Sequence, residues 1–446
     1  MEEKNQLKRN LKLWHIFVLG LALLCPTTVF DTYGIATGIS GGHVPTAYMF
    51  TLLAILFTAF SYANMVKVYP EAGSAYSYVQ KVIDPNIGFM VGWAALCDYI
   101  FLPMVYALSV QIYMGAFFPS VPVWIWVFIT MLFCSVMNIF NTKVTVTFNT
   151  IFVILQITVA IIFVALLIQE ILNGNGTGHV FSLEPIYSAN LTWSTLLAGS
   201  TVLAYSFIGF DAISTLSEDA IQPQKNIPRA MVLLAVFLGL LYTTITYFMQ
   251  SVYPDVSMFK DPEAASAEIA QQIGGLLFAT VFLATVVTGS MVGGITAQLS
   301  TTRLLYAMGR DGVLPKKIFG YVNPKTGVPV NNVIISGLFG MTAVFFSLVT
   351  ATSFISFGAF TAFTFVNLSV IIHYIVKKKE RSVKALIFYL LFPLLGLSFI
   401  ILLWFNMDKH ALYMGLIWNV IGVVYLMNMT KMFKVPPPIL IREEKI

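Results

Sequence analysis

The stretch "LALLCPTTVFDTYGIATG", residues 21–38, decides the fold. It lies in an apolar run over 14–38, and about 20 apolar residues are enough to cross the hydrocarbon core of a bilayer. Yet it carries a helix breaker at Pro26 and an acid at Asp31. Proline removes a backbone donor and clashes with the preceding turn. A helix break is therefore expected at Pro26, with Thr27 and Thr28 offering hydroxyls to the freed backbone groups. Such a break makes physical sense where it faces a cavity. Unwound carbonyls and the Asp31 carboxylate together attract cations.

The rest of the chain has the same character. It is 58% hydrophobic and 10% charged, with a mean hydropathy of +0.83, whereas a soluble domain is usually about 25% charged. Twelve apolar stretches follow one another, over 14–38, 44–68, 87–116, 122–140, 147–169, 195–217, 230–252, 274–302, 331–350, 353–376, 385–405 and 411–433. Long continuous runs read as helices, because barrel strands would alternate over about ten residues. An all-α polytopic membrane protein with 12 transmembrane helices is the expectation. The first run is too long for a cleaved leader and reads as a retained helix.

The net charge of +5 is no sign of nucleic-acid binding, because the basic residues are sorted by loop. With the N-terminus inside, all of the 25 Lys and Arg except Lys260 and Lys409 fall on the cytoplasmic side. This positive-inside pattern puts both termini in the cytoplasm. The run 376–384, "VKKKERSVK", is an anchor of the same kind, with anionic lipid as a further partner. Cys25, Cys97 and Cys134 all lie within helices and read as reduced packing residues, with no disulfide or metal set among them.

An ionisable group inside a bilayer costs several kcal/mol and is a functional hypothesis by default. Asp31, Asp98 and Asp211 lie well inside the first, third and sixth stretches, and no Lys or Arg lies deep in any of them. Asp98 is eleven residues into its stretch, about 16 Å at the helical rise, close to the midplane. Something other than an internal base must neutralise these acids: protons, metal ions or a cationic substrate. The sixth stretch, "LAYSFIGFDAISTLSED", places Gly209 beside Asp211. The first and sixth helices open two sets of five, and interruptions at corresponding places in two halves point to a site built on inverted repeats.

Asp31, Asp98 and Asp211 are the candidate ammonium ligands or proton carriers. Tyr99 and Tyr205 are retained as aromatic neighbours suited to cation–π attraction. Pro26, Thr27, Thr28 and Gly209 mark the breaks. Glu71 and Glu218 are candidate gate residues rather than ligands. An intramembrane enzyme is disfavoured, because His15, His43, His179, His373 and His410 lie mostly at helix ends or in loops and no HExxH or GxSxG element is present. A channel would want pore-lining rings supplied by an oligomer.

The string "SFIGFDAISTLSEDAIQPQKNIPRAM" resembles the sixth-helix signature of the amino acid–polyamine–organocation permeases. "YPEAGSAYSYVQK", residues 69–81, and "TTRLLYAMGRDGVLPKKI", residues 301–318, are similar to two further segments of that superfamily. Within it, "LKLWHIFVLGLALLCPTTVFDTYGI", "GFMVGWAALCDYIFLPM" and "FTFVNLSV" resemble bacterial putrescine importers. The resemblance spans 7–432. It implies a LeuT-type 5+5 inverted repeat over about 14–169 and 195–376, two peripheral helices over about 385–433 and a tail over 434–446. It implies a transporter of the bacterial cytoplasmic membrane and uptake of a small organic cation, a diamine, by alternating access. Protons are the implied coupling ion, and no other cofactor is implied. The alternative is an amino acid permease, proton symporter or exchanger, of the same fold. Several amino acid symporters of the superfamily carry a lysine in the fifth helix where this chain has Gln156, and acids crowding both breaks would repel an amino acid's carboxylate.

Overall fold

The computed structural model describes residues 11–71, 73–140, 146–310, 312–324 and 326–437, without the side chains of 146–148, 218 and 307. The chain enters through α1 (Leu13–Leu24) and α2 (Thr28–Ser40), then α3 (Val44–Val68), the short α4 (Ser74–Val82) and the long α5 (Pro85–Phe117). Helices α6 (Val123–Ile139) and α7 (Val146–Leu172) complete the first half. In the second half α8 (Trp193–Leu203) gives way to 3₁₀ turns at Ala204–Phe207 and Asp211–Glu218, before α9 (Pro223–Val252) and α10 (Ala265–Arg310). A single turn α11 (Lys316–Phe319), α12 (Val330–Met341) and α13 (Leu348–Val370) follow. The one-turn α14 (Val383–Leu386), α15 (Phe392–Phe405) and α16 (Lys409–Met429) end the described chain.

Among the described residues nine helices are long and apolar enough to cross a membrane, and α1 with α2 form a further broken pair bent by 47°. Two shorter apolar helices, Val123–Ile139 and Val330–Phe345, accompany them. The protein is thus an all-helical, multi-pass membrane protein. Two boundaries differ from the sequence reading. The stretch read over 274–302 lies inside α10, which has a non-helical Gly275 near its start. The stretch read over 331–350 ends early, because Ser347 caps α13 by accepting a hydrogen bond from the Thr350 amide at 3.3 Å. A hydroxyl cap of this kind starts a helix more strongly than hydropathy resolves.

Packing places α5 at the centre, clasped by α10 and α13, while α3 runs along α9. Asp84 starts α5 by accepting from the amides of Asn86 and Ile87 at 2.8 and 3.3 Å, with Pro85 at the first helical position, where a missing donor costs nothing. Helix α16 is fastened to α5 by a reciprocal pair: the Trp93 indole donates to the Trp418 carbonyl at 2.9 Å and the Trp418 indole to the Trp93 carbonyl at 2.8 Å. The apolar side chains Ile151, Ile154, Ile161, Ile417 and Val420 remain exposed on α7 and α16. A lipid-facing surface has this character, since only apolar groups avoid a cost there.

Candidate functional site

Both expected breaks are present, and their backbone accounting shows how they are held. Cys25 has φ 51° and ψ 96°, so α1 stops before Pro26. The freed carbonyls are taken up locally and from afar. Tyr106 from α5 donates to the Leu23 carbonyl, and the Thr28 hydroxyl to the Leu24 carbonyl at 3.4 Å. Gln156 from α7 offers its Oε1 to the Thr27 amide and hydroxyl and to the Cys25 thiol, at 3.4, 3.3 and 3.2 Å. Gln156 therefore acts as an uncharged clamp on the break. In the second break Ile208 is extended, with ψ 132°, and Gly209 takes φ +106°, a conformation that favours glycine. Tyr242 of α9 joins the two: its hydroxyl lies 3.0 Å from the Thr28 hydroxyl and donates to the Ser206 carbonyl at 3.4 Å.

A proline also stands inside α5. Pro103 has no N–H to give the Tyr99 carbonyl four residues earlier. The Thr301 hydroxyl of α10 donates to that carbonyl instead, which locks α10 to α5 one residue from Asp98. Thr301→Val keeps the shape and removes the donor. Leaving a buried carbonyl unpaired costs about 1–3 kcal/mol, so the purified variant should unfold at a lower temperature than wild type in the same detergent. An unchanged melting point would mean that this carbonyl has another partner.

Asp31, Asp98 and Asp211 are the buried acids among the described residues, at 3%, 4% and 4% exposure, and no described Lys or Arg is buried with them. The structure divides them into two groups. Asp98 and Asp211 lie within Coulombic reach of each other, with Tyr62 and Tyr99 inside the same field. Asp98 Oδ1, Asp211 Oδ1 and the Tyr62 hydroxyl are all buried without a hydrogen-bond partner. Backbone amides of Gly209, Asp211 and Ala212 face the Asp211 carboxylate, so the second break orients it. Asp31 sits elsewhere. Its Oδ1 accepts from the Ser109 hydroxyl at 2.9 Å, and Ser109 is 3.1 Å from Ser290 of α10.

Tyr99 goes with Asp98 and Asp211 as expected, but Tyr205 does not. Six residues separate Tyr205 from Asp211 in sequence, yet the break between them turns the chain, and Tyr205 lies in the field of Asp31, Cys25, Tyr106 and Tyr242. Glu71 is half-exposed and paired to Lys81 at 2.5 Å. The Glu218 side chain lies outside the described residues. Sequence reasoning passed over Ser109, Ser290, Tyr62, Tyr106 and Tyr242. Ser109 had a signal: it falls on the same face of α5 as Asp98, three turns on. The tyrosines had none, because a tyrosine in a membrane helix is ordinary unless its neighbours are known.

Uncompensated acids beside two broken membrane helices define a secondary transporter. The chain belongs to the amino acid permease family, whose pattern matches residues 15–434. It is similar to the low-affinity putrescine importer PlaP of Escherichia coli, 42% identical over 97% of this chain and 96% of that one. More distant relatives are the branched-chain amino acid permease BcaP of Lactococcus lactis, 26% identical over 91% of each chain, and the methylthioribose transporter of Bacillus subtilis, 24% identical over 86% of this chain and 84% of that one. The protein is accordingly a transporter and not an enzyme.

Proposed function

We propose that this protein imports putrescine or a closely related polyamine across a bacterial cytoplasmic membrane, by alternating access and coupled to protons. The observation that carries this reading is the buried pair Asp98 and Asp211, each with an oxygen that has no partner and, among the described residues, no buried Lys or Arg to neutralise it. An aliphatic diamine supplies what the pair lacks: ammonium donors without a carboxylate to be repelled. Tyr99 and Tyr62 offer ring faces to the ammonium and to the methylenes. The similarity to a putrescine importer points the same way.

Twelve spans with both termini cytoplasmic, and a LeuT-type 5+5 repeat with two peripheral helices, complete the reading. Nine long apolar helices, one bent pair and two shorter apolar helices agree with it in position. The repeat reading is supported by the packing. Helix α3 packs most extensively on α9, and α5 on α10; these are the second span with the seventh and the third with the eighth, partners five apart. Protons are the proposed coupling ion and no other cofactor is invoked. The membrane potential assists: two charges gain roughly 4.6 kcal/mol per 100 mV, on the order of 10³-fold accumulation.

The test is uptake of labelled putrescine by proteoliposomes, with unlabelled diamines and amino acids as competitors. Uptake displaced by cadaverine but not by neutral amino acids supports the proposal. Uptake confined to amino acids would make this chain an amino acid permease of the same fold and refute the diamine assignment.

A further inference from the structure

The spacing along α5 of Asp98 and of Ser109, the partner of Asp31, carries a further step, which rests on the diamine reading. Asp98 is on α5, and Asp31 is bound to Ser109 on the same helix. Eleven residues separate Asp98 from Ser109, which is about 16 Å of rise and roughly 20° of rotation. The two positions therefore share one stripe of α5, three turns apart. The stripe between them is apolar: Leu102 and Val105, at 6% and 0% exposure, fall on it at four and seven residues from Asp98. Tyr106, beside the stripe, has its hydroxyl committed to the Leu23 carbonyl. With bond lengths of about 1.5 Å, an extended 1,4-diaminobutane holds its nitrogens roughly 6 Å apart. One diamine cannot reach from Asp98 to Ser109.

We infer that the protein holds two separate stations for an aliphatic ammonium group, one at Asp98 and Asp211 and one at Asp31, on opposite sides of the helix breaks. Each station has its own open polar groups. At the acid pair these are Asp98 Oδ1, Asp211 Oδ1 and the Tyr62 hydroxyl. At Asp31 the Tyr113 hydroxyl is fully buried and without a hydrogen-bond partner, and it faces the Asp31 carboxylate. Ser109 has one proton and gives it to Asp31, so Ser290 donates to Ser109 in turn. A carboxylate offers about four lone-pair sites, so Asp31, even with Ser109 and Tyr113 beside it, can still accept from an ammonium, which has donors only, as can the lone pairs of Tyr113. The breaks lie between the stations, so a substrate passing from one to the other must pass the segment that Tyr242 and Gln156 hold in place.

The test is equilibrium dialysis of the purified full chain in detergent against labelled putrescine. Wild type is expected to bind two per chain at saturation. Asp31→Asn and Asp211→Asn are each expected to leave one, and the surviving site shows that the variant is folded. Ser109→Ala strips Asp31 of one donor without touching the acid pair, so it should weaken one of the two sites and spare the other. One putrescine per chain in wild type would overturn the two stations and leave the diamine reading intact. Loss of all binding by Ser109→Ala, in protein that still elutes as a monodisperse peak, would do the same. No putrescine bound to wild type would overturn both.

Discussion

Asp98→Asn and Asp211→Asn should each lower putrescine uptake at subsaturating concentration by on the order of 10²-fold or more, because removing one charge from a buried charge pair costs about 3–5 kcal/mol. Asparagine keeps the size of the side chain and one oxygen. It removes only the charge that an ammonium would meet. The same change should not harm the folded protein. Asp98 and Asp211 lie in each other's field, with no buried Lys or Arg among the described residues, and two ionised carboxylates there repel. Neutralising either relieves that repulsion. The variants should therefore melt at or above the wild-type temperature while transport falls, the trade expected where a site stores unfavourable charge for function. Uptake assays normalised to protein in the membrane, together with thermal melts in detergent, check both halves. Uptake retained within a few-fold of wild type would remove these acids from the substrate's path.

Gly358→Ala should be nearly as damaging for a different reason. A Cβ at Gly358 of α13 would lie 2.5 Å from the Ala94 carbonyl oxygen and 3.0 Å from the Asp98 amide. Both are backbone atoms of α5, so no side chain can swing aside. Either α13 moves off α5 or α5 bends, and the site of the strain is the turn that carries Asp98. Overpacking of this kind costs about 1–3 kcal/mol, and a displacement approaching 1 Å at a binding carboxylate is enough to impair function. The expected result is a lower melting temperature and at least about tenfold slower uptake. Gly38→Ala is the matched control. It is also a glycine in a membrane helix, but its nearest contact for a Cβ is ordinary, 3.5 Å to Val256, and it should transport normally. Equal loss in both variants would mean that any alanine for glycine change harms the protein, and the close approach at Asp98 would not be the cause.

Much of the architecture was legible along the chain. Hydropathy is a local property, so the runs near 44–68 and 87–116 coincide with α3 and α5 to within two residues. The break at Pro26 was legible because proline acts on its own backbone. The break at Gly209 was legible because glycine beside an acid in an apolar run invites the question. The start of α13 was missed, since a serine cap at Ser347 overrides the apolar run that flows across it. The role of Gln156 was half legible: its uncharged character was plain, but its three contacts at the break depend on α7 lying against α1.

The sequence by itself determined a polytopic helical membrane protein, two interrupted helices in corresponding places, and three acids that the lipid could not tolerate unless they served a purpose. Those conclusions follow from short-range terms: the length of apolar runs, the missing amide of proline, and the cost of a charge in hydrocarbon. Only the tertiary structure decided which acid stands beside which. Asp98 joins Asp211, Asp31 joins Ser109 and Ser290, and Tyr205 sides with Asp31 although it is close to Asp211 in sequence. The reason is geometric. The 47° bend after α1 and the turn at Gly209 redirect everything beyond them, and the contacts that fix those angles, through Gln156, Tyr106 and Tyr242, come from helices far away in the chain.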